Sequence, residues 1–192
     1  MSDLTGRMVY ELTGSACDGY TQTMRFVTRM ISQEGEPSVS DLRSTTVEDT
    51  MAKTFKFNSS QYKDDQQTEV TSGDAERSTP NAPIKVEVAK PKKLALTIGA
   101  DSLFPVQHSI ALLDAARAGK SIFSADLFDG SEKGEKVYAT TAVIGGRVAP
   151  GKAAKTPDVK NTEKLDTLAA WPISLSYFDI KPTRATAHPL TN

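Results

Sequence analysis

Phe104-Pro105-Val106-Gln107-His108-Ser109-Ile110-Ala111-Leu112-Leu113-Asp114-Ala115-Ala116-Arg117-Ala118-Gly119 is the stretch that sets the architecture of this 192-residue chain. Pro105 suits the first turn of a helix, where its missing N–H costs nothing. The alanines and leucines favour a helix interior, and Gly119 suits the left-handed residue just past the end. The spacing predicts one α-helix over about 105–118. Val106, Ile110 and Leu113 fall three or four apart on one face, joined by Leu112 and Ala116, so Ile110 and Leu113 are expected to be buried against the concave face of a sheet.

Around this helix the chain reads as strands. Met8, Tyr10 and Leu12 alternate with Arg7, Val9 and Glu11, the period-2 signature of a strand with one buried face. Met24, Phe26 and Thr28 repeat it. Further candidates are Val39 to Val47, Thr54 to Asn58, Thr68 to Thr71, Ile84 to Ala89, Leu94 to Ile98, Ser121 to Phe128, Val137 to Ile144 and Ile173 to Phe178, each bounded by turn-forming residues. About ten short strands without alternating helices imply an antiparallel meander closing, or incompletely closing, on itself into a barrel-like sheet. The fold class is therefore mainly β, with one helix packed on the sheet, in a single domain over 1–192. Gly145 to Leu168 loses both periodicity and bulk and is expected to be a mobile surface loop. Lys181 to Asn192, which includes His188, reads as a frayed tail.

The 38% hydrophobic and 24% charged composition is that of an ordinary globular domain rather than a disordered one. A net charge of −1 supplies no field to attract nucleic acid or an anionic membrane. The densest basic run, Lys90-Pro91-Lys92-Lys93, fits a solvated turn. No apolar run approaches the roughly 20 residues that span a bilayer, and Met1-Ser2-Asp3 opens without the charged and apolar regions of a signal peptide. No transmembrane segment is expected.

Catalytic and metal chemistry is thin. Two histidines, His108 and His188, cannot form a three-ligand zinc site alone, and no His-x-x-x-His or Cys-x-x-Cys spacing occurs. Asp101-Ser102 followed by His108-Ser109 contains the residue types of a hydrolase, but no Gly-x-Ser-x-Gly elbow accompanies them. His108 is read as a structural hydrogen-bonding residue. Phe128-Asp129-Gly130-Ser131 reads as a hairpin corner in which Asp129 bonds its own backbone and Gly130 supplies the turn. Gly145-Gly146 lacks the following Gly or Lys of a phosphate loop. No cofactor and no catalytic residue is expected.

Cys17 is the single cysteine, set in Ser15-Ala16-Cys17-Asp18-Gly19-Tyr20, where Asp18-Gly19 is turn chemistry. Half of a disulfide, a reactive thiol and a residue without special role all remain open for it.

Taken in order, Ala16-Cys17-Asp18-Gly19-Tyr20, Leu103-Phe104-Pro105-Val106-Gln107-His108-Ser109, Leu113-Asp114-Ala115-Ala116-Arg117-Ala118-Gly119-Lys120 and Leu127-Phe128-Asp129-Gly130-Ser131 resemble the EipB family of alphaproteobacterial cell-envelope integrity proteins. Val143-Ile144-Gly145 and Trp171-Pro172-Ile173-Ser174-Leu175-Ser176-Tyr177-Phe178 continue the likeness, which spans roughly residues 5 to 178. The resemblance implies a periplasmic, non-enzymatic protein with a spiralled antiparallel sheet, acting in envelope integrity beside a tetratricopeptide-repeat partner. The alternative is a periplasmic carrier of a lipid or other apolar ligand held between curled sheet and helix. In the family the Cys of the Cys-Asp-Gly turn pairs with a cysteine near the C-terminus, so the resemblance makes Cys17 the near half of a disulfide whose partner this chain lacks. The sequence also departs from the family at both ends, where the leader, the first strand and the terminal strands are missing.

Overall fold

The computed structural model describes residues 3–33, 35–152 and 160–179. Seven strands form one antiparallel meander: β1 (Asp3–Ser15), β2 (Gly19–Ile31), β3 (Pro37–Glu48), β4 (Thr54–Lys63), β5 (Gln66–Glu76), β6 (Ile84–Lys90) and β7 (Leu94–Ile98). The helix α1 (Pro105–Arg117) follows, and then a three-stranded sheet in the order β10-β9-β8, built from β8 (Ile122–Leu127), β9 (Tyr138–Ile144) and β10 (Ile173–Asp179). All ten expected strands are present. The two sheets are stitched where Leu103 donates its N–H to the Asp126 carbonyl (2.8 Å) and accepts from the Phe128 N–H (2.9 Å). Among the described strands β1 and β10 do not pair, so the sheet curls without closing.

Register explains where the core lies. Phe55 and Phe57 of β4, Ala75 of β5, Ile84, Val86 and Val88 of β6, and Leu96 and Ile98 of β7 share one face, because each is paired across the ladder with the next. That inner face is covered by Phe104 and Phe128, which flank α1 and β8 and are wholly buried. Phe55 stacks on Phe104 with ring centroids 5.0 Å apart, and Phe128 meets Phe57 edge-on at 5.8 Å. Each such ring contributes on the order of 2–3 kcal/mol through its burial.

A second cluster joins Leu112, Ala115 and Ala116 of α1 to Ala142 and Ile144 of β9, with Phe123, Trp171 and Leu175 around them. The buried stripe of the helix is thus Val106, His108, Leu112, Ala115 and Ala116. Ile110 and Leu113 are 45% and 40% exposed, contrary to the expectation from their spacing. The helix carries apolar residues on two faces, and the face that packs includes a histidine, which an apolar pattern does not count. The end of the helix matches its sequence signal: Gly119 has φ +75°, its N–H donates to the Ala116 carbonyl, and Lys120 N–H donates to Ala115, a Schellman closure.

The expectation of one buried face for Met8, Tyr10 and Leu12 fails. They are 59%, 55% and 49% exposed, and of the three only Tyr10 borders the open cavity beneath the second layer. Alternation marks the face that could be buried; a closely packed second layer decides whether it is, and the buried core it forms draws its strand residues from β4 to β7. Of the Gly145 to Leu168 stretch, expected to be a mobile loop, residues 145–152 and 160–168 are described and the rest lies outside the described residues. Val148 and Ala170 exchange backbone hydrogen bonds, Gly151 N–H donates to Asp166 (2.7 Å), and a short helix α2 spans Glu163–Asp166. This order rests on backbone pairing between distant residues, which leaves no apolar period in the sequence. The Lys181 to Asn192 tail and His188 lie outside the described residues.

Candidate functional site

The inner face of the large sheet continues past the core onto β1, β2 and β3. Tyr10 pairs with Met24, Met24 with Ser44, Ser44 with Ser59 and Ser59 with Thr71, so one row of same-face residues crosses five strands. Neighbouring rows place Met8 beside Phe26 and Leu42. Above this floor a cavity of about 520 Å³ opens, roofed by Pro105, Leu127, Asp129, Gly130, Ser131, Glu132 and Tyr177. Its floor is hydroxyl-rich in the middle and apolar toward β1. This combination suits an amphipathic peptide or a chain with a polar head.

Each sequence-predicted residue has a definite place. Gly130 has φ +73° and lies against Phe57, so close that a Cβ there would run into the ring. Asp129 Oδ1 accepts from Ser131 N–H (2.9 Å), which turns the chain at the cavity roof. The corner opens a longer connection containing a 3-10 turn at Glu132–Gly134 rather than a tight hairpin. Partial burial, and then the Asp129 carboxylate, push the Tyr177 phenol up, so it remains a neutral hydrogen-bonding group at the mouth.

The Cys17 turn forms the tip of the β1–β2 hairpin. Ser15 Oγ accepts from Cys17 N–H (3.1 Å) and donates to Asp18 Oδ2 (2.7 Å), fixing the loop. Gly19 follows with φ +86°, packed where a Cβ would meet the Glu48 carbonyl at 2.8 Å. The Cys17 thiol is exposed and free.

His108 is 4% exposed and sits 2.7 Å from Thr140 Oγ1. Thr140 uses its single hydroxyl proton on the Ala125 carbonyl (2.7 Å), so it accepts from His108, which is therefore the Nε2–H tautomer. Burial pushes the imidazole down, keeping it neutral. Ser102 is buried elsewhere, its carbonyl accepting from Arg77 (2.6 Å). The histidine, serine and aspartate noted in the sequence thus do not converge on one another. Among the described residues no group of three or more His, Cys, Asp or Glu is placed to hold a metal ion.

Three functional supports escaped sequence reading. Glu48, at the end of β3, is 4% exposed, and its two oxygens accept from Val106 and Gln107 N–H (2.9 Å each). It caps α1 from 58 residues away. A signal existed: Phe104 at the cap position has no accepting side chain, Pro105 has no N–H, and two donors were left needing an acceptor from elsewhere. Desolvation pushes the Glu48 carboxyl up to about 7, against the pull of the two N–H groups. The second is Arg77, buried and donating to the Pro80, Ala100 and Ser102 carbonyls, with its guanidinium 4.9 Å from the Phe104 ring centroid. Together these two residues fix the segment that enters the helix. The third lies on the outer face, where Arg25 and Arg43 both clamp Asp41 (2.7 and 2.8 Å) and hold its carboxyl well below the usual range. This clamp ties β2 to β3 where no core supports them.

The family model described as EipB-like matches residues 1–190. The chain is 37% identical over 181 residues to the cell envelope integrity protein EipB of Brucella abortus (strain 2308), an alignment covering 94% of this chain and 62% of that protein. The chain therefore spans about three fifths of the length of this curated relative. The crystal structure of a beta-barrel-like protein of a domain of unknown function from Brucella abortus superposes with a TM-score of 0.83 at 36% identity, covering 93% of this chain and 72% of that one.

Proposed function

Because the chain belongs to the EipB-like family, we propose that it is a non-enzymatic periplasmic protein that supports cell-envelope integrity by binding another protein. The observation that carries this reading is the inner face of β1 to β3, where Met8, Tyr10, Leu12 and Phe26 are left open beside a rigid core. Contiguous apolar surface of this kind serves interaction rather than stability. The partner expected from the family resemblance is a periplasmic tetratricopeptide-repeat protein, whose helical grooves accept extended or amphipathic surfaces. Among the described residues no helix is long and apolar enough to cross a membrane, and the reading needs none. The test is titration of the purified chain with the repeat protein encoded in the same genome. Saturable one-to-one binding that Tyr10→Asp abolishes supports the proposal; no binding, or binding indifferent to that change, removes it.

A second reading has its own support in the 520 Å³ cavity, whose apolar wall is formed by Met24, Leu42, Phe57 and Leu127. Under it, the chain carries a lipid or other apolar molecule between curled sheet and helix. Organic extraction of protein isolated from its native envelope distinguishes the two: a stoichiometric lipid supports the carrier, and an empty interior supports the binding protein. In either case the disulfide that the family resemblance assigns to Cys17 would need a thiol from outside this chain.

A further inference from the structure

The floor of the 520 Å³ cavity is graded in polarity along two neighbouring rows of the sheet. In one row Met24, Ser44, Ser59 and Thr71 are paired in turn; in the next, Phe26, Leu42, Gln61 and Glu69. Both rows are apolar on β2 and polar on β5. A molecule lying along them would set an apolar part over Met24 and Leu42 and a polar part over Ser59, Thr71 and Gln61.

The polar end consists of hydroxyls that the protein itself leaves unused. Ser44 and Ser59 are half-buried and Thr71 is only 2% exposed, yet none of the three side chains has a hydrogen-bond partner among the described residues. Buried hydroxyls are ordinarily paired. The Thr71 oxygen is not sealed in the core, since among the described residues the one fully enclosed side-chain atom without a partner is Arg77 Nε, so the hydroxyl opens to the cavity it lines. A hydroxyl both donates and accepts. Its full complement is therefore another hydroxyl, because an ammonium head only donates and a carboxylate or phosphate head only accepts. The charges around the cavity point the same way: Glu69, Asp129 and Glu132 line it, and no lysine, arginine or histidine does among the described residues. An anionic head would meet like charge there, whereas a polyol can donate to the carboxylates.

We propose that the cavity binds a neutral amphiphile whose head is a sugar or glycerol, with the head on Ser59, Thr71, Gln61 and Glu69 and the chain over Met24 and Leu42. The inference rests on the carrier reading, whose ligand it specifies, and it excludes free fatty acids and anionic phospholipids as that ligand.

The test is calorimetric titration of the full chain at neutral pH with octyl glucoside, octanoate, octylamine and methyl glucoside, each below its micelle-forming concentration. Octyl glucoside should bind at least about tenfold more tightly than octanoate or octylamine. Methyl glucoside, which has the head without the chain, should bind weakly or not at all. Thr71→Val keeps the branched shape and removes the hydroxyl, so it should lose roughly three- to tenfold in affinity for octyl glucoside while melting at the parental temperature or above. Glu69→Lys, on an exposed residue, should raise the affinity for octanoate about tenfold. Octanoate or octylamine binding as tightly as octyl glucoside, methyl glucoside binding as tightly as the octyl form, or a folded Thr71→Val that binds like the parent each overturns this assignment. In the first and last of these the carrier reading survives, since an octyl ligand still binds. Failure of every octyl ligand to bind removes both.

Discussion

Glu48→Gln is the most informative single change, because it alters one atom of a buried cap and makes the stability depend on pH in a definite direction. Both Glu48 oxygens accept from helix N–H groups at 2.9 Å. Glutamine keeps one acceptor and turns an NH₂ toward the other N–H, leaving buried donors unpaired at a cost of about 1–3 kcal/mol. The pH dependence comes from the carboxyl itself, raised from an ordinary 4.5 to about 7 by desolvation. An acid whose folded value lies above its unfolded value holds its proton longer when folded. Its contribution to stability is therefore fully present below about 4.5 and is lost as pH rises through about 7. At about 1.4 kcal/mol per pH unit the loss is on the order of 3 kcal/mol. Urea unfolding followed by the fluorescence of Trp171, which packs beside the helix cluster, measures both terms. Glu48→Gln should be less stable than the parent by about 1–3 kcal/mol near pH 4.5, and the gap should close or reverse near pH 8. A gap that stays constant across this range, or widens toward pH 8, refutes the reasoning.

Other outcomes follow from the same geometry. Leu112→Ala, in the buried stripe of α1, should cost about 2–5 kcal/mol, whereas Leu113→Ala on the exposed side should cost less than about 1 kcal/mol, both read by urea unfolding. Gly130→Ala combines a positive φ with collision against Phe57 and should lose at least about 2 kcal/mol or drive the roof of the cavity open. Thr140→Val removes the acceptor of the buried His108 N–H and should cost about 1–3 kcal/mol. A thermal or urea melt unchanged from the parent would contradict either assignment.

Much of the fold was legible because the strands, their turns and the helix each carry local signals. Pro105, Gly119 and the Asp18-Gly19 corner act through their own backbone geometry, so a sequence displays them directly. What was not legible depended on contacts between distant residues. The helix has apolar residues on two faces, and only the position of β9 selects Leu112 over Leu113. Met8, Tyr10 and Leu12 alternate as a buried strand would, yet lie beyond the closely packed core. Glu48 and Arg77 read as ordinary charges until the fold brings Val106, Gln107 and three loop carbonyls to them. The candidate site was the least visible part, since its floor comes from a row of residues taken one from each strand.

The central claim is that the open inner face of β1 to β3 is the surface through which this chain serves the envelope. It is tested most directly by survival under detergent stress in a strain producing the chain as its sole EipB-like protein, with Tyr10→Asp/Met24→Asp compared with the parent. Both residues line the open face and neither belongs to the buried core. The account predicts that this variant reaches parental abundance in the cell, melts like the parent, and fails to protect. Full protection by the folded, equally abundant variant would contradict it.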